Sequence, residues 1–295
     1  MQPDSHSTSH FFTVDVEEYF HVRALEDVVD RGGWLDRPSR VGGSIERLLS
    51  TLERHDARGT FFVLGWLAKH RPEVVRAITS RGHEIASHGF FHDPVTRLDP
   101  DSFREDARAA KQTIEDLTGV EVAGYRAPNF SIIPGLEWAF DVLVEEGYVY
   151  DSSLFPIRRR GYGYPNCPRS PHCIQTKAGS LFEFPLATTR LLGYPIPAAG
   201  GGYLRQFPFE VIRRAFREAS RAGVPATFYI HPWEIDGEQP RLRVPPLTHI
   251  RHYRGLRTSL ARIERLLSEF RFTTIESYLC QLKDPLASRA AAGVA

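Results

Sequence analysis

Two rhythms of apolar residues alternate along the chain. Short runs rich in Phe, Val, Ile and Thr predict strands at 10–15 (HFFTVD), 60–65 (TFFVLG), 83–87 (HEIAS) and 122–126 (VAGYR). Four more follow at 148–153 (YVYDSS), 181–186 (LFEFPL), 226–231 (ATFYIH) and 270–275 (FRFTTI). Longer stretches with apolar residues three and four apart predict helices at 44–55, 72–82, 100–119, 136–147, 209–223 and 255–270. Pro72 and Gly82 bracket the second of these, as start and stop signals should. About eight strands alternating with helices imply parallel pairing in a single α/β, barrel-like domain. The expected domain runs over 10–283, between a disordered tail at 1–9 and a flexible one at 284–295. Residues 156–206, rich in Pro, Gly and Tyr and ending in AAGGGYLR, interrupt the alternation. They are expected to form a long insertion near the working surface.

Composition narrows the function. The 295 residues are 42% hydrophobic and 25% charged, as in an ordinary globular protein. Thirty-seven basic residues against 36 acidic ones leave a net charge of +1, which argues against nucleic acid as the main partner. Three cysteines make an odd, sparse set, so no disulfide framework is expected. Cys167 and Cys173 flank His172, but their spacing fits no zinc module. The opening MQPDSHSTSH lacks a basic region followed by an apolar core, and no run reaches the ~18 apolar residues of a membrane span. The expected compartment is the cytoplasm.

One stretch conflicts with this simple pattern. TVDVEEYFHV (13–22) continues an apolar strand, yet places Asp15 and Glu17 on one face by strand alternation. Other unusual polar residues also fall at predicted strand ends: His88 and His92 after the third, Arg126 after the fourth, Asp151 at the fifth and His231 at the seventh. The carboxyl ends of the strands are where barrel enzymes assemble their sites. His88 and His92, four apart, would project to one side of a helical turn. With a carboxylate they make a three-ligand set that leaves a position open for water, as in catalytic zinc sites. Of Asp15 and Glu17, one can ligate while the other serves as base. Arg126 would hold that base ionised, and His231, oriented by Asp151, would protonate an amine leaving group.

With these residues in place, the chain resembles the polysaccharide deacetylases of carbohydrate esterase family 4, the NodB-homology proteins, over roughly 10–280. The resemblance rests on TVDVEEYFHV, on TFFVLG followed by GHEIASHGFFH, and on YRAPNF, DSS and YIHPWE. TVDVEEYFHV, YDSSLFP and HPWEID further resemble the subfamily found beside exosortase-linked (PEP-CTERM) exopolysaccharide loci. This resemblance implies a distorted (β/α) barrel of about seven to eight strands. It also implies a divalent metal, usually zinc, and removal of N-acetyl groups from amino sugars. It makes Asp15 the base, Glu17, His88 and His92 the metal ligands, and Arg126 the support of the base. Asp151 then tunes the acid, His231. The backbone N–H of Asn129 helps bind the oxyanion.

Three positions depart from the family pattern. Glu17 follows Asp15 by two where the family has adjacent aspartates, Asn129 replaces a tyrosine, and Tyr229 stands where leucine is favoured. Tyr203, Arg205, Trp233 and Glu234 are candidates to line a sugar groove, with Arg205 meeting an anion. The expected partner is an N-acetylated amino sugar in a polysaccharide or a lipid-linked precursor, with peripheral contact to membrane-bound exopolysaccharide machinery. The alternatives are a cyclic-amide hydrolase resembling allantoinases and an inactive carbohydrate-binding protein.

Overall fold

A computed structural model describes residues 8–159 and 161–282. Residues 1–7 of the expected N-terminal tail, and the whole expected C-terminal tail at 284–295, lie outside the described residues. In chain order the first half runs β1 (His10–Val16), α1 (Val41–Arg54), β2 (Thr60–Val63), α2 (Gly65–His70), α3 (Pro72–Ser80), β3 (Glu84–Ser87), α4 (Pro100–Thr118), β4 (Gly124–Tyr125), α5 (Trp138–Glu145) and β5 (Tyr150–Asp151). Then follow β6 (His172–Gln175), β7 (Ser180–Glu183), β8 (Thr188–Leu191), β9 (Tyr194–Pro197) and α6 (Gly201–Gln206). The chain continues through α7 (Phe209–Arg221), β10 (Thr227–Ile230), α8 (Pro246–Tyr253), α9 (Leu256–Glu269) and β11 (Phe272–Thr273).

The main sheet has the order β10-β1-β2-β3-β4-β5-β7-β6, with β11 also paired to β1. All pairings are parallel except β6 with β7. The sheet curls into a half-barrel, and a bridge between Leu186 and Thr227 brings the chain after β7 against β10. The expected mixed α/β, barrel-like fold is what the chain adopts. Its helices start and stop where local chemistry dictates. At α4 the Asp99 side chain accepts from Ser102 N at 2.8 Å, Pro100 opens the first turn, and Gly119 closes it at φ 67°.

Within 156–206 the strand predicted at 181–186 appears as β7, and three strands that the sequence does not predict join it: β6 extends the main sheet beside β7, and β8 and β9 make a separate hairpin ahead of α6. Short strands, broken by Pro and Gly and half-exposed, carry too weak a periodicity to be read from sequence.

Strand β1 shows how the fold delivers chemistry. Phe12, Val14 and Val16 join the large core between sheet and helices. Phe11, on the other face, packs with Phe62, Ala86, Tyr150, Phe184, Ile275 and Leu279 in a plug at the floor of the barrel. Further along that inner face come Thr13 and Asp15, so the interior turns from apolar to polar towards the strand ends.

Glu84 lies beside this plug, buried. It accepts from Thr60 Oγ1 at 2.6 Å, Glu276 N at 3.1 Å and Tyr150 OH at 2.5 Å. Burial outweighs these bonds and raises its pKa from 4.5 to about 7. The folded state therefore prefers the protonated acid. Its stabilising effect is complete below pH 4.5 and is lost as pH rises through about 7. Glu84→Gln should flatten that part of the stability curve, a difference of about 3 kcal/mol between its ends. Urea unfolding at several pH values checks this.

Candidate active site

The residues singled out at the strand ends converge. Asp15 is on β1, Glu17 follows it, His88 follows β3, Arg126 follows β4 and His231 follows β10. Asp15, Glu17, His88, His92, Asn129, Tyr162, Tyr229, His231 and Trp233 share the walls of a cleft of ≈ 190 Å³.

Arg126 anchors the floor. It is fully buried, with its guanidinium 4.0 Å above the Phe62 ring. Nη1 donates to Asp15 Oδ1 and to Thr13 Oγ1, both at 2.7 Å, while Nε and Nη2 donate to Ser152 O (3.0 Å) and Ser152 Oγ (2.7 Å). A buried charge so fully bonded fixes the carboxylate beside it. Asp15 is therefore held by Arg126, which leaves its Oδ2 3.8 Å from His231 Nε2.

Glu17, His88 and His92 form a second group, with one donor atom of each lying within 4.8 Å of the others. His88 Nδ1 lies 2.8 Å from the carbonyl oxygen of Arg126. A carbonyl only accepts, so Nδ1 carries the proton and Nε2 offers its lone pair. Burial lowers the pKa of His88 to about 4, which keeps the imidazole neutral. Glu17 Oε2 is buried without a hydrogen-bond partner, 3.5 Å from His92 Nε2. Burial pushes the Glu17 carboxyl up, but His92 and His231 outweigh it and hold the group ionised. An orphaned carboxylate oxygen beside two imidazoles fits a divalent cation such as zinc.

The two histidines do not meet on a helical turn, as their spacing suggested. Residues 88–92 form an irregular loop, with Gly89 at φ 73° and His92 at φ 61°. Asp106 holds that loop from α4, accepting from Phe90 N at 2.9 Å and Phe91 N at 3.3 Å. The rings still converge, their centroids 5.3 Å apart.

His231 has a partner other than the expected one. Its Nδ1 is 2.9 Å from Glu234 Oε2, and Nε2 faces the cleft, 3.0 Å from Glu17 Oε1. Burial disfavours its cationic form, but Glu17 and Glu234 more than compensate and raise its pKa well above the usual value. Asp151 does not reach His231. Its oxygens accept from Ser153 N (3.0 Å) and Ser153 Oγ (2.6 Å), beside the buried carboxyl of Glu183. Ser153 Oγ also accepts from Ala127 N, so Asp151 braces the backbone leading to Asn129.

Glu234 and Arg205 are therefore not groove residues. Both are buried and paired at 3.0 Å, and Arg205 also donates to the carbonyls of His252 and Arg254. No anion can reach a guanidinium so enclosed. Tyr203 lies behind the wall, with its hydroxyl 2.8 Å from that of Tyr162, and Tyr162 is the ring that lines the cleft. Trp233 lines the cleft and stacks on His231 at 5.2 Å. Asn129 is in the left-handed region at φ 58° and lines the cleft with Phe130.

The glycine run was the overlooked signal. A Cβ on Gly201 would lie 1.9 Å from Glu234 Oε2, and one on Gly200 would lie 2.3 Å from the Tyr229 ring. Backbone must approach the partner of His231 this closely, and only glycine allows it. Gly201→Ala is expected to push Glu234 off His231 and to cost about 1–3 kcal/mol of stability. Thermal unfolding beside wild type, with a shift of the His231 ring NMR titration, checks this.

Fold and site together define a NodB-type α/β half-barrel with carboxylates and imidazoles gathered at the carboxyl ends of its strands. Residues 35–135 match the family model for polysaccharide deacetylase, and residues 152–280 match a domain of unknown function, DUF3473. Over 35–135 the chain is therefore similar to polysaccharide deacetylases. A peptidoglycan deacetylase-like protein of Gibberella zeae is 34% identical over 117 residues, covering 39% of this chain and 33% of that one. The peptidoglycan-N-acetylmuramic acid deacetylase of Bacillus subtilis is 28% identical over 86 residues, covering 29% and 33%. The matched region thus spans about a third of these relatives' length. A candidate polysaccharide deacetylase from Mycobacterium smegmatis shares the fold, with a TM-score of 0.63 at 20% identity over 97% of this chain and 93% of that one. Puue allantoinase does so with a TM-score of 0.58 at 15% identity, over 92% and 88%.

Proposed function

We propose that this protein is a metal-dependent deacetylase that removes N-acetyl groups from N-acetylhexosamine units of a polysaccharide or its lipid-linked precursor. The observation that carries this reading is the placement of three units around one cleft: Glu17 with His88 and His92, Asp15 on Arg126, and His231 on Glu234. Relatives named as peptidoglycan and chitooligosaccharide deacetylases support the reaction class. The exosortase-type segments at 13–22, 150–156 and 231–236 favour an exopolysaccharide as the polymer.

Glu17, His88 and His92 would hold the cation, with zinc the best fit to one carboxylate and two imidazoles. Such an ion supplies Lewis acidity, polarising the amide carbonyl and making water acidic enough to attack. Asp15, held by Arg126, takes the proton from the attacking water. His231 Nε2 gives a proton to the departing amine while Glu234 fixes Nδ1. The backbone around Asn129 faces the developing oxyanion, and Trp233 and Tyr162 offer aromatic faces to the sugar.

Acetate release from N-acetylhexosamine oligomers, before and after chelation and metal return, tests this. Release that chelation abolishes and zinc restores is expected. Turnover of a cyclic ureide with no acetate from amino sugars would replace it with the allantoinase-like alternative.

A further inference from the structure

Beyond the cleft, one surface segment combines charge and exposed apolar area in a way that catalysis does not use. Residues 240–257 carry five arginines, at 241, 243, 251, 254 and 257, and no aspartate or glutamate. Arg257 pairs with Glu238, and Arg241 stacks over Tyr253 at 4.4 Å. Among the described residues, Arg243, Arg251 and Arg254 have no carboxylate partner and are exposed. Helix α8 lies within this segment. His252 and Tyr253 turn inward, while Leu247 and Ile250, three apart, are 59% and 53% exposed beside Arg251. Two exposed aliphatic side chains in a segment with three unpaired arginines make it both apolar and basic.

This surface adjoins the reacting groups. The His252 ring stacks on Trp233 at 4.5 Å, and Trp233 stacks in turn on His231. Arg205 clamps the same segment by its bonds to the carbonyls of His252 and Arg254, so the segment is held rigidly against the rim of the cleft.

We propose that segment 240–257 docks the protein on an anionic lipid surface, with Leu247 and Ile250 entering the headgroup boundary and Arg243, Arg251 and Arg254 meeting lipid phosphates. Apolar insertion and attraction of basic residues to anionic lipid add together in interfacial binding. Docking there sets the mouth of the cleft beside the bilayer, where the sugar of a lipid-linked precursor stands. This deepens the deacetylase reading and rests on it only for the identity of the substrate.

The test is sedimentation of the full chain with vesicles of mixed phosphatidylglycerol and phosphatidylcholine, and with phosphatidylcholine alone. Binding to the mixed vesicles only is expected, weakening with salt. Leu247→Glu with Ile250→Glu, and separately Arg243→Glu with Arg251→Glu, should each weaken it about tenfold or more while leaving thermal unfolding unchanged. Leu192→Glu, at the 92% exposed tip of the β8–β9 hairpin, should leave binding intact. Equal binding to neutral vesicles, retention in both paired variants, or loss in the hairpin variant alone would overturn the proposal. So would equally tight binding to dextran sulfate that the Leu247 and Ile250 changes leave untouched. Vesicle binding is read without turnover, so its failure removes the docking surface and leaves deacetylation to its own assay.

Discussion

Replacing His88 by alanine is expected to abolish stoichiometric zinc binding and to lower acetate release about a thousandfold or more. The imidazole is buried, its Nδ1–H is committed to the Arg126 carbonyl, and burial keeps it neutral. It therefore offers Nε2 without competition from a proton at neutral pH. Losing one of three protein ligands removes a cation that supplies several kcal/mol of transition-state stabilisation, and each 1.36 kcal/mol is tenfold in rate. Metal content by elemental analysis, together with acetate release, checks the result. Glu17→Gln should behave similarly, because the amide cannot replace the charge of the orphaned oxygen.

The second large effect is expected at His231. His231→Ala should lower kcat by about 10²–10⁴ with KM little changed, because the proton it gives is needed only as the C–N bond breaks. Its partner predicts a pH signature. Burial lowers the pKa of His231, but the carboxylates of Glu17 and Glu234 raise it further. The group must be protonated to act, so activity is present below its pKa and lost above it. Glu234→Gln removes one of the two carboxylates, and the alkaline limb of the kcat profile should move to lower pH. A purely structural role for Glu234 would lower activity without moving that limb.

The carboxylates and histidines of the cleft were legible because they obey simple rules. Strand alternation put Asp15 with Glu17, and the alternation of strands with helices put every strand end on one face. Partnerships were harder, because they depend on which side chains meet across the barrel. Asp151 stands at a predicted strand end, but β5 turns its oxygens onto Ser153 and Glu183. Glu234 reaches His231 from the turn after β10, three residues on. Arg205, after a Gly-rich stretch, and Glu234, in HPWEID, look like groove residues, yet both are buried and paired with each other. Glu18, third in the opening run, serves structure: it accepts from Arg40 N at the start of α1. The strands β6, β8 and β9 escaped notice because half-exposed pairs interrupted by Pro and Gly show neither a two-residue nor a 3.6-residue period.

The central claim is that Glu17, not Asp15, completes the metal site with His88 and His92. A crystal structure of the zinc-loaded protein, with anomalous scattering at the zinc edge, tests it most directly. The account predicts one ion bound by Glu17, His88 and His92, with Asp15 still bonded to Arg126. An ion on Asp15 with Glu17 turned away, or no ion between the two histidines at saturating zinc, would contradict it.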